Sequence, residues 1–114
     1  MRLAPKEYAV YTTLANHPKG VNFNSLSDDV SNELESTYAR VLKKKGRNTD
    51  ASNGVRKLKG NALLVLVNSI NEKVDKALEQ ALLKSPYYHI ENAKGTLYIP
   101  YIRKGESLTL KIQY

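Results

Sequence analysis

The stretch LAPKEYAVYTTLANHPKG, residues 3–20, carries the signals that begin and end one helix. Pro5 suits the first helical turn, where a missing backbone N–H costs nothing. Four apolar residues after it can share one broad face: Tyr8, Val10, Tyr11 and Leu14. The His-Pro pair at 17–18 ends the helix, and Gly20 permits a tight reversal into a short extended piece at 21–24. We therefore expect a helix and then a short strand.

A longer amphipathic helix follows. Asn24 or Ser27 can cap its start. Its apolar residues keep helical spacing for about four turns: Leu26, Val30, Leu34, Tyr38, Val41 and Leu42. Gly46 closes the helix, and the Gly, Asn, Ser, Thr and Asp content of residues 46–54 predicts a loop. This loop is too short to separate two domains, so we expect one domain over residues 1–114.

A third helix is predicted after an ambiguous segment. The apolar run 61–67 is typical of either a buried helical turn or a strand, and its periodicity does not decide between them. Ser69 can cap a helix because Glu72 follows at the capping-box spacing. The apolar stripe of this helix comprises Ile70, Val74, Ala77, Leu78, Ala81 and Leu82. The predicted helix spans residues 69–83, and the Ser-Pro pair at 85–86 stops the chain from continuing it.

The remainder of the chain has the composition of β structure. Strands are predicted at residues 87–90, 96–102 and 107–114, with turns at 91–95 and 103–106. Pro100 cannot donate a ladder hydrogen bond, so it should lie on a sheet edge or at a bulge. The order of helix, helix, helix and hairpin predicts an α+β fold.

The charge of the chain favours a polyanionic partner. Lys and Arg total 18 against 11 Asp and Glu, which gives a formal net charge of +7. One central stretch concentrates the positive charge: Lys43, Lys44, Lys45, Arg47, Arg56, Lys57 and Lys59. Only Asp50 offsets it there. Two interpretations stay open, a loop that contacts phosphates and a solvated linker.

Composition also removes several classes of protein. The chain has no cysteine, so it forms no disulfide, thiolate metal site or cysteine nucleophile. The N-terminus has no signal-peptide pattern, and the longest apolar run, residues 62–67, is far shorter than the roughly 20 residues of a membrane span. We expect a cytoplasmic protein that does not associate with membranes.

An enzyme is the weakest hypothesis. His17 lies in a helix stop and His89 in a predicted strand, and the sequence indicates no partner for either. On a helix, Asp28 and Asp29 point about 100° apart, which makes a poor carboxylate pair. Four tyrosines offer either stacking surfaces for single-stranded bases or the cross-strand packing usual on strands: Tyr87, Tyr88, Tyr98 and Tyr101. We predict no catalytic residue, metal site or cofactor.

The order of elements, and the residues that begin and end them, resemble the winged-helix output domain of bacterial two-component response regulators. That family opens with a leucine, a capping threonine, Pro-Lys-Glu or similar, and an aromatic-led helix ending in His-Pro-Gly. The matching residues are Leu3, Pro5, Lys6, Glu7, Tyr8, Val10, Tyr11, Leu14, His17, Pro18 and Val21. Ala4 stands where threonine would cap the helix, which should cost about 1 kcal/mol of helix stability.

The resemblance extends to the third helix and the hairpin. The spacing of the family's recognition helix, and the glycine and tyrosine that end its wing, have counterparts at Ile70, Val74, Ala77, Gly95 and Tyr98. The match covers residues 3–30 and 68–99, whereas residues 31–67 contain a longer helix and a longer basic loop than the family pattern. With no phosphoacceptor domain before Met1, the resemblance implies a freestanding output domain.

The resemblance implies a transcriptional regulator that binds duplex DNA. The helix 69–83 would face the major groove, and the turn 92–95 would be the wing. Besides the basic stretch described above, the implied DNA-contacting residues are Asn68, Ser69, Asn71, Lys73, Lys76 and Lys94. Asn71 can read adenine edges, and Lys73 or Lys76 can contact phosphate or guanine.

The acidic residues of the third helix support a different hypothesis. Glu72, Asp75 and Glu79 would repel phosphates. In the simplest interpretation, Glu72 and Lys76 form an i,i+4 pair on a solvated face. The alternative function is a protein-interaction module of winged-helix architecture, which meets a protein partner or a second copy through this helix or a sheet edge. The charge on the exposed face of the helix separates the two hypotheses.

Overall fold

The computed structural model describes residues 1–47, 52–80, 88–103, 105 and 112–114. The α-helices are α1 (Pro5–Ala15), α2 (Asp28–Lys44), α3 (Gly60–Gln80) and α4 (Pro100–Arg103), and Ser52–Lys57 is a 3₁₀ helix. The strands are β1 (Val21–Asn22), β2 (Glu91–Ala93) and β3 (Thr96–Tyr98), which form an antiparallel sheet in the order β1-β3-β2. The predicted α+β fold is confirmed, and its layout of three helices followed by a small sheet is consistent with a winged helix.

Helix α1 begins and ends where the sequence predicts. Ala4 has no side-chain acceptor, but Glu7 Oε1 accepts the backbone N–H of Ala4 at 2.8 Å, which is one half of a capping box. After the helix, Gly20 approaches β3 so closely that a Cβ there would lie 2.6 Å from Thr96 Cγ2 and 2.7 Å from the Leu97 carbonyl oxygen. Only glycine fits this reversal, which brings β1 onto β3.

Helix α2 also follows its prediction. Ser27, rather than Asn24, is the N-cap, and its side chain accepts the Val30 N–H at 3.3 Å. At the other end, Gly46 and Arg47 donate backward to carbonyls of the last turn at 3.0 and 2.9 Å, the Schellman pattern. Acidic residues occupy the first turn and basic residues the last, as the helix dipole favours.

The predicted loop after α2 contains an additional element. Residues 48–51 lie outside the described part of the chain, and the 3₁₀ helix begins directly afterwards. It places Val55, which is fully buried, in the core. On its outer side, Arg56 Nη1 donates to Asn32 Oδ1 at 2.8 Å and to Glu35 Oε2 at 2.6 Å, so this element is held against α2.

Helix α3 begins at Gly60, so the prediction that Ser69 caps it is wrong. The ambiguous run 61–67 is helical. Its buried residues continue one stripe at spacings of three and four: Leu63, Val67, Ile70, Val74 and Leu78. The stripe continues past the position of Ser69 without interruption. The Ser69 hydroxyl does not cap a helix and instead donates to Glu7. The predicted end of the helix, including Ala81, Leu82 and the Ser-Pro stop, lies outside the described residues.

The hairpin is shifted along the sequence. Residues 88–90 are not the predicted strand, because the Asn71 amide binds the N–H and C=O of Ile90 at 2.8 and 3.1 Å. The first strand of the hairpin is instead β2, whose residues the sequence assigns to a turn. The turn itself contains only Lys94 and Gly95, whose φ values of 53° and 91° are those of a type I′ hairpin.

Pro100 lies neither on a sheet edge nor at a bulge. It is the first residue of α4, where its missing N–H has no partner to lose. The predicted strand 96–102 therefore ends with β3. Residues 107–111 of the last predicted strand lie outside the described residues, and nearer the end Gln113 forms an isolated parallel bridge with Arg2.

The core joins α1, α2, α3 and the sheet. Its largest fully buried side chains are Tyr11, Leu3, Ile70, Leu97, Ile99, Val41, Val55 and Val74. The Tyr11 hydroxyl donates to the Tyr88 carbonyl at 2.7 Å, and burial raises the pKa of Tyr11. Tyr88 is itself buried, so the packing interpretation is confirmed for it. Across the described ranges, no helix combines the length and apolar character needed to cross a membrane.

Substituting Val74, which is fully buried, tests the orientation of α3. Val74→Asp places an unpaired charge among apolar neighbours and should lower the free energy of unfolding by several kcal/mol, roughly 3 or more. Val65, 66% exposed on the same helix, provides the control, because Val65→Asp should leave the thermal midpoint nearly unchanged. Circular dichroism melting curves measure both. An unchanged midpoint for Val74→Asp would show that the stripe faces solvent.

Thr13 offers a substitution that should stabilise the fold. Its Oγ1 is buried and has no hydrogen-bond partner within the described residues, and Thr13 lines an apolar cavity of about 20 Å³. Thr13→Val keeps the shape and removes the unsatisfied hydroxyl, so the free energy of unfolding should rise by about 1 kcal/mol. Thr12→Val is the control, because the Thr12 hydroxyl donates to the Tyr8 carbonyl at 2.8 Å. Urea denaturation should show a gain for Thr13→Val and none for Thr12→Val.

Candidate nucleic-acid interface

The predicted DNA-contacting residues fall in separate parts of the surface. One group, which we call the basic end, consists of the exposed side chains at the C-terminus of α2: Lys43, Lys44, Lys45 and Arg47. Lys44 Nζ lies 5.9 Å from the centre of the Tyr114 ring, a cation–π distance. Tyr114 packs edge-on against Tyr8 of α1 at 4.6 Å between ring centres. The basic end is therefore a cationic surface bordered by two aromatic rings.

A second group lies where the hairpin meets the start of α3. The Phe23 N–H donates to the Gly95 carbonyl at 3.0 Å, and the Phe23 carbonyl accepts the Gly60 N–H at 2.8 Å. The backbone of one residue thus bridges the hairpin tip and the first residue of α3. Lys94 precedes Gly95, Lys59 precedes Gly60, and both lysines are exposed. We call Lys59, Lys94 and the first turns of α3 the wing surface.

The wing surface and the basic end lie toward opposite ends of α2. Phe23 comes shortly before Ser27, which caps the start of α2, whereas the basic end follows its last turn. The helix has 17 residues, so it is about 25 Å long. The structure does not bring Lys94 together with the lysines of the basic end.

Helix α3 changes character along its exposed side. Over the first turns the exposed residues are uncharged: Asn61, Ala62, Val65 and Asn68. Further along, the exposed residues are mostly acidic: Glu72, Asp75, Lys76 and Glu79. Because carboxylates repel phosphates, the first turns are the part of the helix suited to nucleic acid.

Three residues of α3 that were expected to contact DNA form bonds inside the molecule. Ser69 Oγ donates to Glu7 Oε2 at 2.5 Å, and Lys73 Nζ pairs with Glu7 Oε1 at 2.5 Å. The Asn71 amide binds Ile90 through both of its polar atoms. These side chains hold α3 against α1 and against the segment that leads into β2.

Glu7 is a buried carboxylate at the junction of α1 and α3, and only 3% of it is exposed. Burial pushes its pKa up, but hydrogen bonds from Lys73, Ser69 and the Ala4 N–H, together with the charge of Lys73, outweigh burial. The pKa of Glu7 therefore lies below its ordinary value. In the sequence, Glu7 stands out only as part of the N-terminal motif. Its position three residues after Ala4 is a signal for the bond to the Ala4 N–H, but no local signal indicates its contacts with Ser69 and Lys73.

The 3₁₀ helix contributes less free charge than its sequence indicates. Arg56 is exposed, but its guanidinium is bound to Asn32 and to the Glu35 carboxylate. The side chain of Lys57 lies outside the described part of the structure. Because the Glu35 carboxylate neutralises part of its charge, the Arg56 guanidinium attracts an external phosphate less strongly than Lys59 or Lys94 does.

Both histidines have acidic partners, contrary to the sequence expectation. His17 Nε2 lies 2.6 Å from Glu33 Oε2 and so connects α1 with α2. His89 Nε2 contacts Asp75 Oδ1 and connects the segment before β2 with α3. In the part of the chain that is described, no group of three or more His, Asp or Glu side chains is arranged to hold a metal ion.

Comparison of the chain with protein-family models, with curated protein sequences and with solved structures finds no match in any of the three. The resemblance to winged-helix output domains stays a prediction from the sequence.

The Glu7 contacts predict a pH dependence of stability. Because the folded-state pKa lies below the unfolded one, the stabilisation is present above the unfolded pKa and is lost as the pH falls through the folded pKa. Glu7→Gln should be less stable than wild type at neutral pH and should lose less stability on acidification. The matched control is Glu79→Gln, an exposed carboxylate on α3. Denaturant unfolding from neutral to acidic pH gives the profiles, and parallel profiles for wild type and Glu7→Gln would contradict the prediction.

Proposed function

We propose that the chain is a DNA-binding module of the kind found in transcriptional regulators, and that it binds duplex DNA through the wing surface. The observation that carries the proposal is the pair of hydrogen bonds by which Phe23 joins Gly95 of the hairpin tip to Gly60 of α3. A recognition helix and a wing must be held side by side to contact a duplex together. Here, the backbone of Phe23 supplies that connection.

The start of α3 has a chemistry suited to base edges. In helix-turn-helix proteins the N-terminal residues of the recognition helix reach the bases. On α3 the corresponding exposed residues are Asn61, Ala62, Val65 and Asn68. Asparagine pairs with adenine, and methyl groups contact the thymine methyl in the major groove. The proposed base contacts therefore move from Asn71 to Asn61 and Asn68, and they favour A·T pairs.

The two lysines of the wing surface are suited to phosphates. Both are exposed, and neither forms an ion pair with a described residue. Lys59 comes directly before the N-terminus of α3, whose dipole also favours anions. Lys94 stands at the tip of the hairpin, where it can reach the backbone beside the groove.

The acidic part of α3 lies well away from the first turn of the helix, where Asn61 is exposed. From Gly60 to Glu72 the helix rises by about 18 Å. This distance is roughly twice the Debye length of about 8 Å at physiological ionic strength. Repulsion between the acidic residues and phosphates beside Asn61 is therefore largely screened. A phosphate beside Asn68, about 6 Å along the helix from Glu72, is not screened in this way.

The salt dependence of duplex binding tests the proposal. Each phosphate contact contributes about 0.9 to the slope of log affinity against log salt, so Lys59→Gln with Lys94→Gln should flatten the slope by about 1.8. The matched control is Lys43→Gln with Lys45→Gln, which removes the same charge from the basic end and should leave the slope near wild type. Fluorescence anisotropy on a random-sequence duplex measures both.

Two outcomes would overturn the assignment. If only the control pair flattens the slope, the basic end and not the wing surface contacts DNA. If the wild-type chain does not bind duplex at low salt, DNA binding itself is wrong. In that case the exposed acidic residues of α3 favour the second candidate, a module that binds a basic protein surface through Glu72 and Glu79.

A further inference from the structure

A groove lies between the N-terminal segment and the second half of α3. It has a volume of about 170 Å³ and is lined by Met1, Arg2, Lys73, Lys76 and Ala77. Three of these side chains are cationic, and no acidic residue lines the groove. We call it the cationic groove. It lies well along α3 from the wing surface and shares no residue with it, so phosphate binding in the groove does not depend on the contacts proposed for the wing surface.

The fold holds the backbone around Arg2 in place. The Gln113 carbonyl accepts the Leu3 N–H at 2.8 Å, and the Gln113 N–H donates to the Met1 carbonyl at 2.7 Å. Arg2 is thus the central residue of a parallel pairing. Its backbone is therefore held at one wall of the groove, so binding a ligand orders only the side chain of Arg2 and not the segment that carries it.

Lys73 and Lys76 form the opposite wall. Lys73 Nζ is held 2.5 Å from Glu7 Oε1, so its position is set by a buried carboxylate that takes up part of its charge. Lys76 forms no ion pair with any described residue, and the i,i+4 pair with Glu72 expected from the sequence is not formed. Arg2 likewise forms no ion pair within the described ranges. Among the described side chains, Arg2 and Lys76 are therefore the two cations of the groove that no carboxylate neutralises.

We propose that the cationic groove binds a phosphate group. Its volume is below the roughly 300–1,000 Å³ of pockets that enclose drug-sized ligands, which suits one anionic group better than a whole organic ligand. A guanidinium binds phosphate through two parallel hydrogen bonds, and a lysine binds it as a point charge. The phosphate can belong to a nucleic-acid backbone or to a free phosphate compound, and both share this chemistry.

The test titrates inorganic pyrophosphate into the full chain at constant ionic strength, with chloride making up the difference. Saturable NMR shifts are expected at the backbone amides of Arg2, Lys73, Lys76 and Ala77. Arg2→Gln with Lys76→Gln should weaken pyrophosphate binding by at least about tenfold, since charge-assisted contacts are lost. Lys59→Gln with Lys94→Gln removes the same charge elsewhere and should change the affinity by less than about twofold. Shifts that do not saturate, or equal losses in both pairs, would show non-specific attraction and overturn the proposal.

Glu7→Gln gives an independent readout. It frees the charge of Lys73 without altering any residue that lines the groove, so pyrophosphate affinity should rise severalfold in the folded variant. An unchanged or lower affinity in a variant that retains its fold would contradict the role of Lys73. If this variant does not fold, the Arg2 and Lys76 pair decides the question alone.

A competition experiment identifies the source of the phosphate. If Arg2→Gln with Lys76→Gln also weakens duplex binding, and pyrophosphate competes with the duplex, the groove holds a nucleic-acid phosphate. If pyrophosphate binds and the duplex is unaffected, the ligand is a free phosphate compound. Failure of the wing-surface variants to alter duplex binding leaves the pyrophosphate result intact, so the two proposals fail separately.

Discussion

The pairing of the buried Glu7 carboxylate is the interaction on which the arrangement of the helices depends. Glu7 receives hydrogen bonds from the Ala4 N–H, the Ser69 hydroxyl and the Lys73 ammonium. One side chain thus completes the start of α1 and fixes the distance and rotation of α3. A buried charge that loses a partner destabilises a fold by several kcal/mol, about 3–5. The three donors must therefore stay together, and the docking of α3 on α1 is strongly specified.

Much of the fold could be predicted from local signals. Helices α1 and α2 begin and end at residues whose roles are readable over a few positions: Pro5, Ser27 and Gly46. The start of α3 could not be found in this way, because Ser69 and Glu72 satisfy the capping-box spacing by coincidence. The Ser69 hydroxyl is bonded to a residue 62 positions away. The local spacing predicts that Ser69 caps a helix, but in the fold its hydroxyl bonds to Glu7 and the helix runs through this position.

The C-terminal region and the candidate site were harder to predict for the same reason. The composition of residues 88–90 favours a strand, but the Asn71 side chain takes the place of a neighbouring strand. The sequence shows each lysine separately, and only the hydrogen bonds of Phe23 show that the residues next to Lys59 and Lys94 are joined through one backbone unit. Whether a cation is available to a ligand likewise depends on internal partners. Lys73 is paired with Glu7, which no charge count distinguishes from an unpaired lysine.

At the hairpin tip, the residue that would make the turn most stable differs from the residue that places a positive charge on the surface. Lys94 adopts a φ of 53°, a left-handed conformation that costs most L-residues roughly 1–2 kcal/mol and that asparagine or glycine adopts more easily. A type I′ turn is most stable with Asn-Gly, and this chain has Lys-Gly. The residues that would relax the backbone, asparagine, aspartate and glycine, carry no positive charge, so the tip cannot have both the most stable turn and a cation. Selection for thermal stability alone would therefore be expected to remove the lysine from the tip.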